Sequence, residues 1–393
     1  MHIVYLLEDI PQKFTKSIYL AGPVPSSKNI RSWRDFALLQ LKNKKFDGVV
    51  FVPEIDPRKK NKRKIKNEEK RKWEWDALHM SDVILFWVPS DSSLEPRTQI
   101  YTEFAYYLDH ANIVYGRSNS ASRTDYLDWL IESADRNRNI YERLDFTIEA
   151  ALKLIEKGAT RKGGERKVPL FIWRTNQFQS WYKAQKNAGN RLDDAELLFF
   201  KQNRYRKGKP RKVFMFALWV KVWILTESRH KENELIISRP DISAICAYKK
   251  NEKLEDTDII LVREFRSPVS NKDCFVQELP SGSSFYGKQD ELLVASEELK
   301  EETDLSIPAE RFKYIGSKQL CATVSTHKAH LYAVAITEKE LEKAIASDKL
   351  GEAHGILEDS ERTYVTVRKL KDLAASGIDW SMLGMLHTAI LNS

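Results

Sequence analysis

Along the first 160 residues, short apolar runs alternate with stretches in which apolar and charged residues recur every three or four positions. SIYLAG (17–22), GVVFVP (48–53), DVILFWVP (82–89) and NIVYG (112–116) are nearly continuous apolar runs, as parallel strands buried on both faces are. The periodicity between them predicts helices after residue 29, from about residue 68, and through residue 106. Strands alternating with amphipathic helices predict an α/β domain over residues 1–160, a doubly wound parallel sheet with helices on both faces. Ligands of such sheets bind outside the carboxyl ends of the strands, so chemistry is expected just after the first three runs.

TRKGG (160–164) reads as a linker, and beyond it the pattern changes. Longer strands are predicted at 213–225, 234–237, 242–248 and 259–265. A PSGSS turn, one acidic amphipathic helix and further strands at HLYAVAI and TYVTV follow. This predicts a mixed α+β domain over residues 165–393.

A length of 393 residues agrees with two domains. The start of the chain lacks the basic and apolar pattern of a secretory leader. The most apolar run (213–225) is too short to span a bilayer and contains Lys221. Three widely spaced cysteines fit neither a zinc site nor a disulfide framework, so a cytoplasmic protein is expected. The formal charge of +8 is concentrated: residues 58–72 hold ten Lys or Arg against two Glu, a net +8 by themselves. A second basic patch spans 201–212, and its charge is offset elsewhere. Neither run accompanies a nucleic-acid-binding motif, so both read as solvated loops. Nucleic acid as a partner would show itself in steeply salt-dependent binding.

The acidic helix carries EELKEETDL (297–305), with five carboxylates in nine residues. Glu298, Glu301 and Glu302 fall at i, i+3 and i+4, on one helix face, where like charges cost stability. A solvated helix end is the plain reading. The sharper one is a set of hard oxygen ligands for Mg²⁺ or Mn²⁺, which would neutralise a pyrophosphate and help generate a nucleophilic water. The stretch from Ser283 to Leu305 resembles the box of the Nudix hydrolases, which cleave nucleoside diphosphates linked to another group. Glu298, Leu299, Glu301, Glu302 and Leu305 match it, whereas Ser283, Gln289, Glu297 and Asp304 depart from it. Gln289 and Glu297 replace two positions that carry opposite charges in the family, so neither leaves a stranded partner.

LVREFRSPV followed by QELPSG is similar to the segment before the box in the ADP-ribose pyrophosphatase branch. The resemblance implies a Nudix fold, Glu278 as a further metal ligand, Glu302 in catalysis, and Arg263 and Arg266 facing substrate. It also implies a loop base at Glu361, with Glu358 second. The branch commonly has a proline beyond the box; here the last proline is Pro308. His327 and His330 read as packing or surface histidines.

In the first domain, AGPVPSS lacks both G-x-G-x-x-G and Walker spacing, which disfavours the usual dinucleotide or ATP cradle. Carboxylates near the strand ends are Glu74, Asp76, Asp82 and Glu103, among many aromatic residues. Leu20–Pro23, Glu74 eight residues before Asp82, and Thr102–Glu103 resemble the nucleoside 2-deoxyribosyltransferase-like family over about residues 17–116. That family cleaves the bond between a base and a (deoxy)ribose on a flavodoxin- or Rossmann-like sheet. The resemblance implies Glu103 as the nucleophile on the anomeric carbon, Glu74 holding sugar hydroxyls or the departing base, and Tyr19 orienting the nucleophile. Asp82 is a substrate-binding candidate whose plainer role is to orient a helix end. Phe104 stands where the family has a small glycine and is expected to narrow the pocket. A carboxylate against an anomeric carbon is sensible chemistry in its own right.

Together these readings predict an enzyme of nucleotide metabolism with nucleoside or nucleotide substrates, no membrane partner, and room for assembly into homo-oligomers. NAD losing nicotinamide would leave ADP-ribose, which the second domain could cut to AMP and ribose 5-phosphate. The alternative is a nucleotide sensor in which one or both domains turn over weakly or not at all.

Overall fold

The computed structural model describes residues 1–25, 31–59, 66–90, 98–134, 139–202, 212–283, 291–355 and 362–392. Contacts divide it into two units, Met1–Ile236 and Ile237–Ser393.

The first unit opens with β1 (His2–Tyr5), β2 (Lys13–Phe14) and β3 (Ser17–Ala21). Helix α1 (Trp33–Asn43) leads to β4 (Val49–Val52), and α2 (Asn67–Met80) to β5 (Val83–Val88). Next come α3 (Thr98–Leu108), β6 (Ile113–Arg117), α4 (Asp125–Ala134) and α5 (Leu144–Ile155). The main sheet has the order β1-β4-β3-β5-β6, and every pairing in it is parallel. Its two faces bury separate clusters. Tyr19, Phe51, Ile84 and Phe86 pack with Trp73 and Ala77 of α2 and Phe104 of α3. Ile18, Leu20, Val50 and Leu85 pack with Ala37 and Leu41 of α1 and Ile148 of α5. Alternate residues of one strand thus enter opposite layers, and the predicted doubly wound α/β sheet is observed.

The edge strand β1 lay outside the predicted alternation, being too short and isolated to signal itself; it adds to β4 from His2↔Val49 to Tyr5↔Val52. Beyond α5 the unit continues through β7 (Arg161–Lys162), α6 (Leu170–Trp173), α7 (Asn176–Asn187), β8 (Arg191–Gln202), β9 (Val213–Ile224) and β10 (Arg229–Ser238). The last three form a sheet of their own, and β7 returns to pair with β2. β8 went unread because RLDDAELLFFKQ mixes charge into its first half and follows a two-residue period only in part.

In the second unit, β11 (Ile242–Lys249), β12 (Asp258–Phe265), β13 (Phe275–Glu278) and β14 (Ser281–Ser283) precede α8 (Glu291–Thr303). Then come β15 (Lys313–Gln319), β16 (Lys328–Ala335), α9 (Glu338–Leu350), β17 (Ala353–His354), β18 (Thr363–Lys369) and α10 (Trp380–Leu391). These strands form one mixed sheet: β11 runs parallel to β16 and antiparallel to β12 and β14. Ala244 and Cys246 face α10, while Ile245 and Ala247 face α8 and α9. The expectation of a single helix is corrected by α9 and α10. The first is capped by Thr337 and Glu340, and the second is capped by Asp379 and almost wholly apolar in sequence. Among the described residues, no helix is long and apolar enough to cross a membrane.

Candidate functional site

In the order β4-β3-β5, the connections leave β3 in opposite directions, which makes the carboxyl ends of β3 and β5 the place where a ligand of such a sheet is expected. The turn after β3 is built for close approach. Gly22 has φ +134°, and a Cβ there would lie 2.2 Å from the Trp87 carbonyl oxygen at the end of β5. Only glycine meets both conditions.

Two side chains of α1 clamp this turn. Arg34, 1% exposed, donates to the carbonyls of Leu20 (2.9 Å), Gly22 (2.8 Å) and Pro23 (3.0 Å). It also pairs with Glu54 at 2.6 Å. Trp33 donates to the Pro23 carbonyl, and Ser32 caps the helix while donating to Glu54. A buried cation satisfied by three carbonyls and a carboxylate makes a rigid strand end.

Tyr19 points from β3 to the α2 and α3 face and is 2% exposed. On α3, Ile100, Phe104, Tyr107 and Leu108 recur at helical spacing and enter the core. That register sets Gln99 and Glu103 together on the flank, where the Gln99 amide donates to Glu103 Oε1 at 2.6 Å. On α2, Trp73 and Ala77 enter the core and carry Glu74 inward with them. Glu74 is buried, with the Lys70 ammonium 3.7 Å from its Oε1.

Electrostatics tie the three groups together. Burial raises the Tyr19 phenol well above its ordinary value, and the charges of Glu103 and Glu74 raise it further. Burial raises the Glu103 carboxyl, Gln99 draws it back down, and the Glu74 charge pushes it up. Burial likewise raises Glu74, against the pull of Lys70 and a hydrogen bond from Gln99. Tyr19, Glu74 and Glu103 therefore lie within electrostatic reach of one another on one side of β3. Phe104, expected to narrow the pocket, instead turns into the core, edge-on to Phe86 (4.9 Å) and Tyr115 (5.1 Å).

Asp82 lies elsewhere. It precedes β5, at the amino end of the strand, accepts from the Ser17 amide at 2.9 Å and is ion-paired with Arg161. Arg166 reaches to 3.8 Å of the same carboxylate. Burial lowers the Arg166 guanidinium to about 9. Asp76 sits on the surface side of α2, 3.7 Å from Lys167.

In the second unit, Glu298 and Glu302 face β14. Glu302 is buried and accepts from the Ser281 amide at 3.0 Å. A Cβ on Gly282 would fall 1.8 Å from the Glu298 carboxyl carbon, so that carboxyl rests directly on the glycine. Glu301 is exposed. Arg266 pairs with Glu278 at 2.6 Å and with Glu264 at 2.8 Å. Arg263 pairs with Asp273 at 2.8 Å and covers the Phe275 ring. Glu361 and Glu358 lie outside the described residues. The oxygen donors are of the right hard chemistry for Mg²⁺ or Mn²⁺, yet among the described residues no group of three ligands is placed to hold a metal ion. His327 is buried and His330 is 3.6 Å from Asp241.

Of the basic segment, Arg58 pairs with Asp56 and Lys59 with Glu8, while residues 60–65 lie outside the described set. The sequence reading passed over Gln99, Arg34 and Glu54. The i,i+4 spacing of Gln99 to Glu103 was available as a signal; nothing local marks Arg34 or Glu54 as partners of a turn 12 residues before one and 32 before the other.

No curated protein matches the chain. The family model described as nucleoside 2-deoxyribosyltransferase like matches residues 15–119, the span that holds β3, α1, α2, α3 and the Tyr19–Glu74–Glu103 group. Residues 15–119 are thus a nucleoside 2-deoxyribosyltransferase-like domain.

Proposed function

We propose that the first unit is an enzyme that cleaves or transfers the N-glycosidic bond of a nucleoside or nucleotide, NAD among the candidates. The observation that carries this is that Glu74, Glu103 and Tyr19 lie near enough to act on one another's ionisation, beside a strand end clamped by Arg34. In this reading a Glu103 carboxylate oxygen attacks the anomeric carbon, and the carbon–nitrogen bond breaks as the base departs with the bonding electron pair; nicotinamide leaves neutral, whereas the base of an uncharged nucleoside takes a proton from water. Water or a second base then releases the sugar from its ester with Glu103. Glu74, whose proton affinity burial raises, is suited to bonding sugar hydroxyls or the departing base. Tyr19, held as a neutral phenol, donates toward the nucleophile and fixes its direction.

For the second unit the reading is divalent-cation-dependent hydrolysis of a nucleoside-diphosphate-linked compound such as ADP-ribose. Glu298 and Glu302, which both face β14, would supply ligands to the cation, and its chemistry would be charge neutralisation at the pyrophosphate. Support comes from the helical spacing of these carboxylates and the contact of Glu298 and Glu302 with β14. The engagement of Glu278 by Arg266 and of Glu302 by Ser281 favours a second reading, nucleotide binding without turnover.

Mass-spectrometric product analysis with NAD, ADP-ribose and a nucleoside panel, each with Mg²⁺ or EDTA, separates these outcomes. Free base lost in Glu103→Ala supports the first reaction. AMP from ADP-ribose, lost in EDTA and in Glu302→Gln, supports the second. Intact substrates with measurable binding support the sensor.

A further inference from the structure

Two carboxylates that share a partly buried site resist ionising together, and a nucleophile must be ionised to attack. Glu103 faces that problem on a flank where, among the described residues, its charged and titratable neighbours include Glu74 and Lys70 from α2, Arg34 from α1, Tyr19 from β3 and Tyr107 from its own helix. A primary amide carries two N–H donors and no charge. Gln99 uses one at 2.6 Å from Glu103 Oε1, and as a donor it also draws the Glu74 carboxyl down.

We propose that Gln99 is the positioning residue of this site, bridging the two carboxylates so that Glu103 stays ionised and aimed while Glu74 remains beside it. The inference rests on the reading of Glu103 as nucleophile. A neutral bridge suits the chemistry better than a cation. A lysine or arginine in its place would stabilise the carboxylate more strongly but would oppose the positive charge that grows on the sugar in an oxocarbenium-like transition state. The position also has a local cause. Gln99 lies one helical turn before Glu103, so the α3 backbone fixes their separation.

The test uses the full chain with Gln99→Leu, which keeps size and removes the donors, and Gln99→Asn, which keeps the amide but shortens its reach. Both are placed at an exposed helical position, and far-UV circular dichroism checks each fold. Carboxyl-carbon NMR titration, with Glu103 assigned from Glu103→Gln, reads the ionisation of the nucleophile directly. Base release from a panel of 2′-deoxynucleosides and ribonucleosides is followed across pH. Both variants are expected to move the Glu103 titration up by about one unit, so that kcat on the acidic side falls about tenfold and recovers as pH rises, with KM nearly unchanged. An unmoved Glu103 titration in both folded variants would overturn the inference, as would an equal loss of kcat at every pH. If Glu103→Ala retains full base release, the reading of the nucleophile fails instead, and the titration still decides what Gln99 does to Glu103.

Discussion

Replacing Asp82 by Asn removes the buried negative charge that pairs with both Arg161 and Arg166. The Asp82 side chain is 0% exposed and the side chains of Arg161 and Arg166 are 1% exposed. Asn keeps an oxygen for the Ser17 amide, so the backbone hydrogen bond survives and the change isolates the charge. Two guanidinium groups then share a buried site without the carboxylate they both pair with. Breaking a buried pair in this way costs about 3–5 kcal/mol.

The measurement is urea unfolding of the full chain by tryptophan fluorescence, following the transition of the first unit. Asp82→Asn together with Arg161→Met should recover part of the loss, since the stranded charge is reduced. In the folded variant, base release should stay close to wild type, because Asp82 lies at the amino end of β5, away from the site proposed for Glu103. A loss below about 1 kcal/mol would refute the electrostatic reasoning. Full stability with abolished turnover would return Asp82 to the role of a substrate ligand.

Gly22→Ala should lower the melting temperature of the first unit by several degrees and impair turnover, because its Cβ meets the Trp87 carbonyl at 2.2 Å. A thermal melt superimposable on wild type would show that the turn tolerates a side chain. The buried His327 has its basicity lowered to about 4, first by burial and then by Arg239. Its folded value lies below the ordinary 6.5, so the unfolded chain binds the proton more readily, and stability falls as pH drops from about 6.5 towards 4. The contribution is on the order of 3 kcal/mol, and His327→Asn should flatten that part of the stability–pH curve; an unchanged slope would contradict it. Mg²⁺ or Mn²⁺ should raise the melting temperature of the chain, and Glu302→Gln should abolish that rise, if the α8 carboxylates hold a cation. Identical melts in EDTA and in metal favour binding without turnover.

How much of this was legible beforehand varied with how far apart the cooperating residues lie. β3, β4, β5 and β6 were readable because each is a continuous apolar run, and α1, α2 and α3 because their core residues keep helical spacing. Tyr19, Glu74 and Glu103 could be grouped because topology puts the carboxyl ends of neighbouring strands together. Arg34 could not, since its four partners are scattered from Leu20 to Glu54 and are mostly backbone carbonyls, which have no sequence signature. Asp82 was harder still: its partner Arg161 is 79 residues away, across a return to β2 that pairs only two residues of each strand. In the second unit, spacing grouped Glu298, Glu301 and Glu302, but burial separated them into two that face β14 and one that faces solvent.

The central claim is a covalent sugar ester on Glu103. Acid quenching of the full chain during turnover of a 2′-deoxynucleoside, followed by peptide mass spectrometry, tests it most directly. The account predicts a 2-deoxypentosyl mass increment on the peptide containing Glu103, absent from Glu103→Gln. Rapid base release with no such adduct at any quench time, or with an adduct on another residue, would contradict it.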